Sequence, residues 1–387
     1  MSKLTKTIGK GDIDNMSKTI PYRYDIVGSF LRTDAIKKAR AEYEAGKITA
    51  EQLEKLEDSN IEKLVEAEKK VGLKAVTDGE YRRSFWHLDF LWGLEGVAKV
   101  KSEHFSVAFK GFQPKAETLK IVGKIDFPED HPFLKHFRFL KNVAGDAEAK
   151  QCIPSPSMLH LICCVREANY QPIDIYKDEQ KLYDDIAAAY SKAVLAFYNE
   201  GCRYLQLDDT AWGEFCSKEK REAYAARGLD VDAIARKYVE VINKVMEVKP
   251  ADMTITMHIC RGNFRSTWSS TGGYEPVAEI LFGHCNIDGF FLEYDSDRAG
   301  GFEPLRYIGK QKVVLGLITS KTPELEDKQA IIDRIHEAAK YVPLDQLSLS
   351  PQCGFASTEE GNLLTEDQEW AKLKLVREIS DEVWGEN

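Results

Sequence analysis

Eight short strand-like segments alternate with helix-like ones along this chain, and that alternation constrains the fold more than any other feature. The segments are Tyr24–Ser29, Lys74–Asp78, Ala149–Ile153, Tyr204–Asp208, Met253–His258, Gly289–Glu293, Lys312–Gly316 and Gln346–Ser350. Between them lie amphipathic stretches. Val231, Ile234, Tyr238, Ile242 and Val245 step by 3, 4, 4 and 3 residues, which is one stripe of a helix. Ile332, Ile335, Ala339 and Val342 repeat the pattern. A third helix is expected over Gln180–Glu200, stopped by Gly201. Strand then helix, repeated eight times, predicts an α/β fold: a parallel sheet closed into a (β/α)8 TIM barrel.

Residues 80–148 break the rhythm. They hold aromatic and charged sequence, including Phe85-Trp86-His87-Leu88-Asp89-Phe90-Leu91-Trp92, and are too long for a plain loop. They are read as a lid-like insertion after strand two, with Trp86 and Trp92 in its core. No linker or internal repeat divides the remainder, so residues 21–387 are expected to form one barrel. Residues 1–20 read as a disordered polar tail rather than an export signal.

A barrel of this kind carries its chemistry at the C-terminal ends of its strands. Several reactive side chains fall there. His258 and Cys260 are two residues apart on one strand, so both face the same side. Imidazole with thiolate is a zinc-type ligand pair. Glu293 ends the next strand, and Cys353 follows the last one. His258, Cys260, Glu293 and Cys353 would make a four-coordinate site, with Asp295, Asp297 and Glu303 as alternative carboxylates. A bland reading of His258 alone is a hydrogen-bonded core histidine; the thiols at matching strand ends argue against it.

Asp208 and Asp209 end the fourth strand, and Asp78 and Glu80 follow the second. One such acid could simply cap a helix. Acids at a barrel mouth also suit a substrate ammonium group. Gly28-Ser29 after the first strand is either an ordinary turn or a source of backbone N–H groups for an anion.

Composition limits the partners. A net charge of −10 argues against nucleic acid, and no apolar run approaches a membrane span. With no export signal, the eight cysteines are expected to be reduced thiols and the protein cytoplasmic. Cys202 and Cys285 read as core residues, and the adjacent Cys163 and Cys164 as weak metal candidates. The oligomeric state stays open, a homodimer included.

Taken together, the motifs resemble the cobalamin-independent methionine synthase family in its C-terminal catalytic barrel, over nearly the whole chain from Tyr24 to Glu382. The family's zinc pattern stands as Met257-His258-Ile259-Cys260, Leu292-Glu293 and Pro351-Gln352-Cys353-Gly354. Its strand-four acid stands as Asp208, its Gly-Glu-x-x-Arg motif as Gly79-Glu80-Tyr81-Arg82-Arg83, and its Ile-Gly-Ser-Phe motif as Val27-Gly28-Ser29-Phe30. The resemblance implies Zn2+ as cofactor and homocysteine, or a similar small thiol, as acceptor. It implies Asp208 and Glu80 as catalytic acids that hold the amine, and Gly28 and Ser29 as contacts for the carboxylate.

The departures concern the methyl donor. The family's second barrel has no counterpart here. Leu161 in Met158-Leu159-His160-Leu161 replaces a pterin-stacking tryptophan, and Thr319 and Lys321 replace an acid pair tied to folate protonation. The expected enzyme is a zinc-dependent thiol methyltransferase that forms methionine. Its donor would be something other than folate polyglutamate, a small molecule or a methyl-carrying corrinoid protein. Alkyl transfer to another thiol, as in epoxide:thiol transferases, and a non-catalytic zinc-stabilised barrel are the alternatives.

Overall fold

A computed structural model describes residues 20–101 and 115–385. Seven parallel strands form one curled sheet in the order β1-β4-β5-β6-β7-β8-β9. They are β1 (Ala75–Val76), β4 (Glu148–Pro154), β5 (Tyr204–Asp209), β6 (Thr254–Ile259), β7 (Gly289–Glu293), β8 (Lys312–Ile318) and β9 (Leu347–Pro351). The first expected strand takes the eighth position with little ladder of its own. Asp25 N donates to Leu349 O at 3.0 Å and Leu349 N to Arg23 O at 2.8 Å, while Phe30 N donates to Gly79 O at 3.1 Å. That segment therefore lies between β9 and β1 and closes the barrel.

The segment is a poor strand for a local reason. Gly28 sits at φ +148, and a Cβ there would meet Cys152 Sγ at 2.6 Å. Its carbonyl accepts from Thr77 Oγ1 at 2.6 Å instead of extending the ladder.

The helices start and stop where side-chain chemistry directs. Asp230 caps Val231–Glu247 by accepting from Asp232 N and Ala233 N, and that helix buries Val231, Tyr238, Ile242 and Val245. The helix Glu179–Asn199 ends before Gly201, whose φ of +91 no β-branched residue would hold comfortably. The helices Asp34–Glu44 and Ala50–Val71 fill the first connection, between Tyr24–Ser29 and β1.

The stretch 80–148 divides into parts. A short helix, Leu88–Leu91, leads to an antiparallel hairpin of β2 (Glu95–Lys101) and β3 (Glu117–Asp126), and residues 102–114 lie outside the described residues. The helix Pro132–Ala144 that follows is the barrel helix between β1 and β4, so the hairpin is what the segment adds to the strand–helix repeat. At one end Ile125 N donates to Tyr176 OH at 2.8 Å. At the other, Lys115 pairs with Glu44 at 3.1 Å and Glu359 at 2.6 Å. Trp92 packs against the core, with its Nε1 donating to Thr118 O at 3.1 Å. The polar N-terminal segment read as a tail lies, up to residue 19, outside the described residues.

All eight cysteines are buried and none forms a disulfide. Among the described residues no helix is long and apolar enough to cross a membrane. Val27, Phe291 and Val314 form a small apolar plug inside the barrel. Above it the strand ends carry polar side chains.

Candidate metal centre

β6 carries His258 inward, and Cys260 follows the strand by one residue. The parallel register sets His258 beside Asp208 of β5 and Phe291 of β7. Glu293 is the last residue of β7, and Cys353 stands two residues beyond β9. One ligand atom from each of His258, Cys260, Glu293 and Cys353 lies within 4.8 Å of the others, and all four residues are buried. The two Sγ atoms are 3.7 Å apart. The cluster takes Glu293 and not its neighbours: Asp295 is engaged by Arg298 Nη2 at 2.7 Å, while Asp297 and Glu303 open separate 3-10 turns.

The donor chemistry fits a divalent cation. Both ring nitrogens of His258 are buried without a hydrogen-bond partner of adequate geometry. Two such nitrogens are costly unless something else uses one of them. Nitrogen, two sulfurs and a carboxylate oxygen form a set suited to tetrahedral coordination of a borderline-soft metal. The protonation pattern agrees. The hydrogen bond from Cys260, then the contact with His258, holds the Cys353 thiol well below its usual range against the opposing effect of burial. The same hydrogen bond and burial push Cys260 up. Burial alone would depress His258, but interactions with Cys353, Asp208 and Glu293 raise it to about 9. Without a cation the cluster thus retains protons among its donors, and a bound cation would release them.

Glu293 is oriented from outside the cluster. Its Oε1 accepts from Arg261 N at 3.0 Å and its Oε2 from Arg298 Nη2 at 3.1 Å. Such outer contacts fix a ligand's direction and tune its donor strength.

A cavity of about 290 Å³, its opening included, adjoins three of these ligands. Ser29, Glu80, Asp208 and Trp86 also line it. Asp208 Oδ1 accepts from Gln206 Nε2 at 2.8 Å. Glu80 Oε1 accepts from Arg83 Nη1 at 3.2 Å, while its Oε2 is buried without a partner. Burial raises Glu80 to about 8, opposed by Arg83 and reinforced by Asp208. Burial likewise raises Asp208 to about 6, opposed by His258. Two desolvated carboxylates facing one small cavity make a place for a cationic group.

Backbone geometry delivers these groups. Gly79 and Glu80 both have positive φ, +63 and +60. For Glu80 this is a sparsely populated conformation, held by Asp78 Oδ1 accepting from Glu80 N at 2.9 Å. A Cβ at Gly354 would stand 2.0 Å from Ser29 Oγ, so the loop after β9 can lie against Ser29 only with glycine there. Gly28 is not among the residues that line the cavity; it packs on Cys152 and Thr77 and seats the turn that presents Ser29.

Four contributors went unread in the sequence. Trp86, taken there as lid core, lines the cavity because Phe85 bridges to Thr358 and Trp86 N donates to Ser357 O. Ser357 lines it too and had no sequence signal. Arg83, visible as the last residue of Gly79-Glu80-Tyr81-Arg82-Arg83, holds Glu80. Arg298, five residues after Glu293, holds that ligand.

The sequence profile described as cobalamin-independent synthase, catalytic domain, matches residues 24–366. The Bacillus subtilis (strain 168) protein YxjG is 50% identical over 95% of this chain and 96% of its own length. A solved Listeria monocytogenes protein, described as a candidate vitamin-B12-independent methionine synthase, is 47% identical. It covers 95% of this chain and 100% of its own, with a TM-score of 0.76. The B12-independent methionine synthase from Shewanella sp. W3-18-1, solved in complex with selenomethionine, shares the fold at 19% identity. Its TM-score is 0.65, covering 93% of this chain and 97% of its own.

Proposed function

This chain belongs to the cobalamin-independent synthase catalytic-domain family, and from that premise we propose that it methylates the thiol of homocysteine to give methionine, with Zn2+ held by His258, Cys260, Glu293 and Cys353. The observation that carries the reading is one cavity lined by Asp208, Glu80 and three of the four candidate ligands. An amino-acid thiol needs both features at once: a cation pocket for its ammonium group and a thiolate-stabilising centre a few bonds away.

Zn2+ in this site would supply Lewis acidity that lowers the pKa of a bound thiol toward neutrality. The protein's own groups do the rest. Asp208 and Glu80 accept hydrogen bonds from the substrate ammonium. Arg83 keeps Glu80 in place and Gln206 does the same for Asp208. The Ser29 hydroxyl faces the same cavity and suits the substrate carboxylate. Held this way, the sulfur forms a bond to the donor's methyl carbon, and the donor's leaving atom keeps the electron pair of the bond that breaks.

The donor side supports something other than a folate polyglutamate. Leu161 is fully buried rather than an exposed stacking surface, and Thr319 and Lys321 offer no acid for a leaving nitrogen. A methyl-corrinoid, free or on a carrier protein, or a sulfonium leaves without that proton. The test is methionine formation by zinc-loaded protein from homocysteine with methyl-folate, methylcobalamin and S-methylmethionine in parallel. No methionine from any of them would overturn the reading. Transfer to a sulfonate thiol in preference to homocysteine would favour the alternative alkyl transferase; the acidic cavity argues against it, because a sulfonate needs basic partners.

A further inference from the structure

Lys321 follows β8 and is only 5% exposed. Its Nζ donates to two neutral oxygens, Asn263 Oδ1 at 2.8 Å and Thr267 O at 3.3 Å. Among the described residues it has no carboxylate within 4.0 Å. A buried ammonium with no contacting carboxylate is expensive, so such lysines are normally paired; the acid that feels its charge, Asp295, is already engaged by Arg298 at 2.7 Å. The cations nearby are held in other arrangements: Arg298 forks between Glu293 and Asp295, Arg83 pairs with Glu80, and the Arg261 guanidinium lies over the Tyr274 ring at 4.5 Å.

The residues that hold Lys321 lead directly to the metal-binding cluster. Asn263, three residues after Cys260, also donates to Gly354 O at 2.8 Å and to Ser357 Oγ at 3.1 Å. Gly354 follows Cys353, and Gly354 and Ser357 both line the cavity. One asparagine therefore ties the lysine to both thiol-bearing loops. The Lys321 charge acts on Cys260 and Cys353 in the direction that favours their thiolates.

Charge counting gives this arrangement a purpose. Two thiolates and one carboxylate around a dication leave one net negative charge. A thiol that binds as thiolate adds a second, in a buried space where like charges repel strongly. We propose that Lys321, positioned by Asn263, is the buried counter-cation for the charge that arrives when the acceptor binds as a thiolate. The inference rests on the proposed function for its metal centre but not for the identity of the acceptor. Lys321 is a positioning residue in this account, acting on the thiolate through the field and bonding to nothing that reacts.

The experiment compares wild type, Lys321→Met and Lys321→Arg, each loaded with Co2+ as a spectroscopic stand-in for zinc. Metal content should match in all three, since loading exchanges protons for the cation with little change in local charge. Thiol binding is read from the thiolate-to-cobalt absorption on titration with homocysteine, and separately with 2-mercaptoethanol, which needs no ammonium pocket. Lys321→Met should weaken both thiols about tenfold or more at neutral pH, in the range typical for outer-shell partners. Raising the pH should recover part of the loss, and Lys321→Arg should restore most of it. Unchanged affinity of Lys321→Met for 2-mercaptoethanol overturns the inference, and so does a loss confined to the KM of the methyl donor. Wild type that binds 2-mercaptoethanol but not homocysteine would sink the acceptor assignment and leave the Lys321 comparison readable. Failure of wild type to hold Co2+ overturns the metal centre and the Lys321 inference together.

Discussion

Asp208 and His258 are register partners across the parallel β5–β6 ladder, so one residue of each strand places a carboxylate and an imidazole side by side at the barrel mouth. Their charges act on each other: His258 opposes the burial that raises Asp208, and Asp208 helps raise His258. The proposed substrate anchor and the proposed metal ligand are thus adjacent by register, and the first test is to separate them.

Asp208→Asn should weaken homocysteine binding and leave zinc content unchanged. A charge-assisted hydrogen bond lost at the ammonium group costs about 1.5–3 kcal/mol, roughly 10–150-fold in affinity. Calorimetric titration with metal analysis of the same sample decides it. Loss of zinc with unaltered homocysteine affinity would assign Asp208 to the support of the metal ligands instead.

The Glu80 carboxyl sets a pH dependence. With its folded pKa raised by burial to about 8, from the 4.5 of an ordinary glutamate, the folded protein binds more protons than the unfolded chain between those values. Its contribution to stability is therefore present below about 4.5 and is lost as pH rises toward 8. Glu80→Gln, a neutral mimic of the protonated acid, should gain stability relative to wild type across that window. Homocysteine, whose ammonium favours the carboxylate, should bind wild type more tightly as pH rises through the same range. Denaturant midpoints and binding constants at several pH values test both; parallel curves for wild type and variant would refute the assignment.

Cys353→Ser should reduce zinc from about one per chain to a small fraction under chelator challenge, because a hydroxyl is a far weaker ligand than a thiolate. Removing metal from wild type should lower its thermal midpoint, since a ligand that binds only the folded state stabilises it. Equal midpoints with and without zinc, at saturating metal, would contradict the site.

Methyl-folate triglutamate should be a poor donor for the isolated protein. With Thr319 and Lys321 in place of the acid pair that the resemblance ties to folate protonation, a factor of roughly 10²–10⁴ in rate should be lost. Steady-state turnover near the ~10 per second median for enzymes, with no partner added, would restore folate as donor.

Periodicity and residue chemistry made much of this readable in advance. All eight expected strand positions are occupied, because a buried parallel strand and an amphipathic helix each carry a local signature. The four metal-ligand candidates were legible because His258 and Cys260 share one strand face, Glu293 ends the adjacent strand β7, and Cys353 follows β9, two strands further round the sheet. Parallel barrels bring such ends together whatever their separation in the chain.

What the sequence by itself determined is therefore the barrel and the identity of the residues at its mouth. Tertiary structure alone decided how they are held. Trp86 and Ser357 meet at the cavity through a contact between segments about 270 residues apart, which no local pattern encodes. Arg298 forks between Glu293 and Asp295, and Asn263 ties Lys321 to both thiol-bearing loops. Strand and helix signals are local because backbone hydrogen bonding and side-chain periodicity are local. Charge pairing and burial depend on which loops pack together, and only the closed barrel sets that.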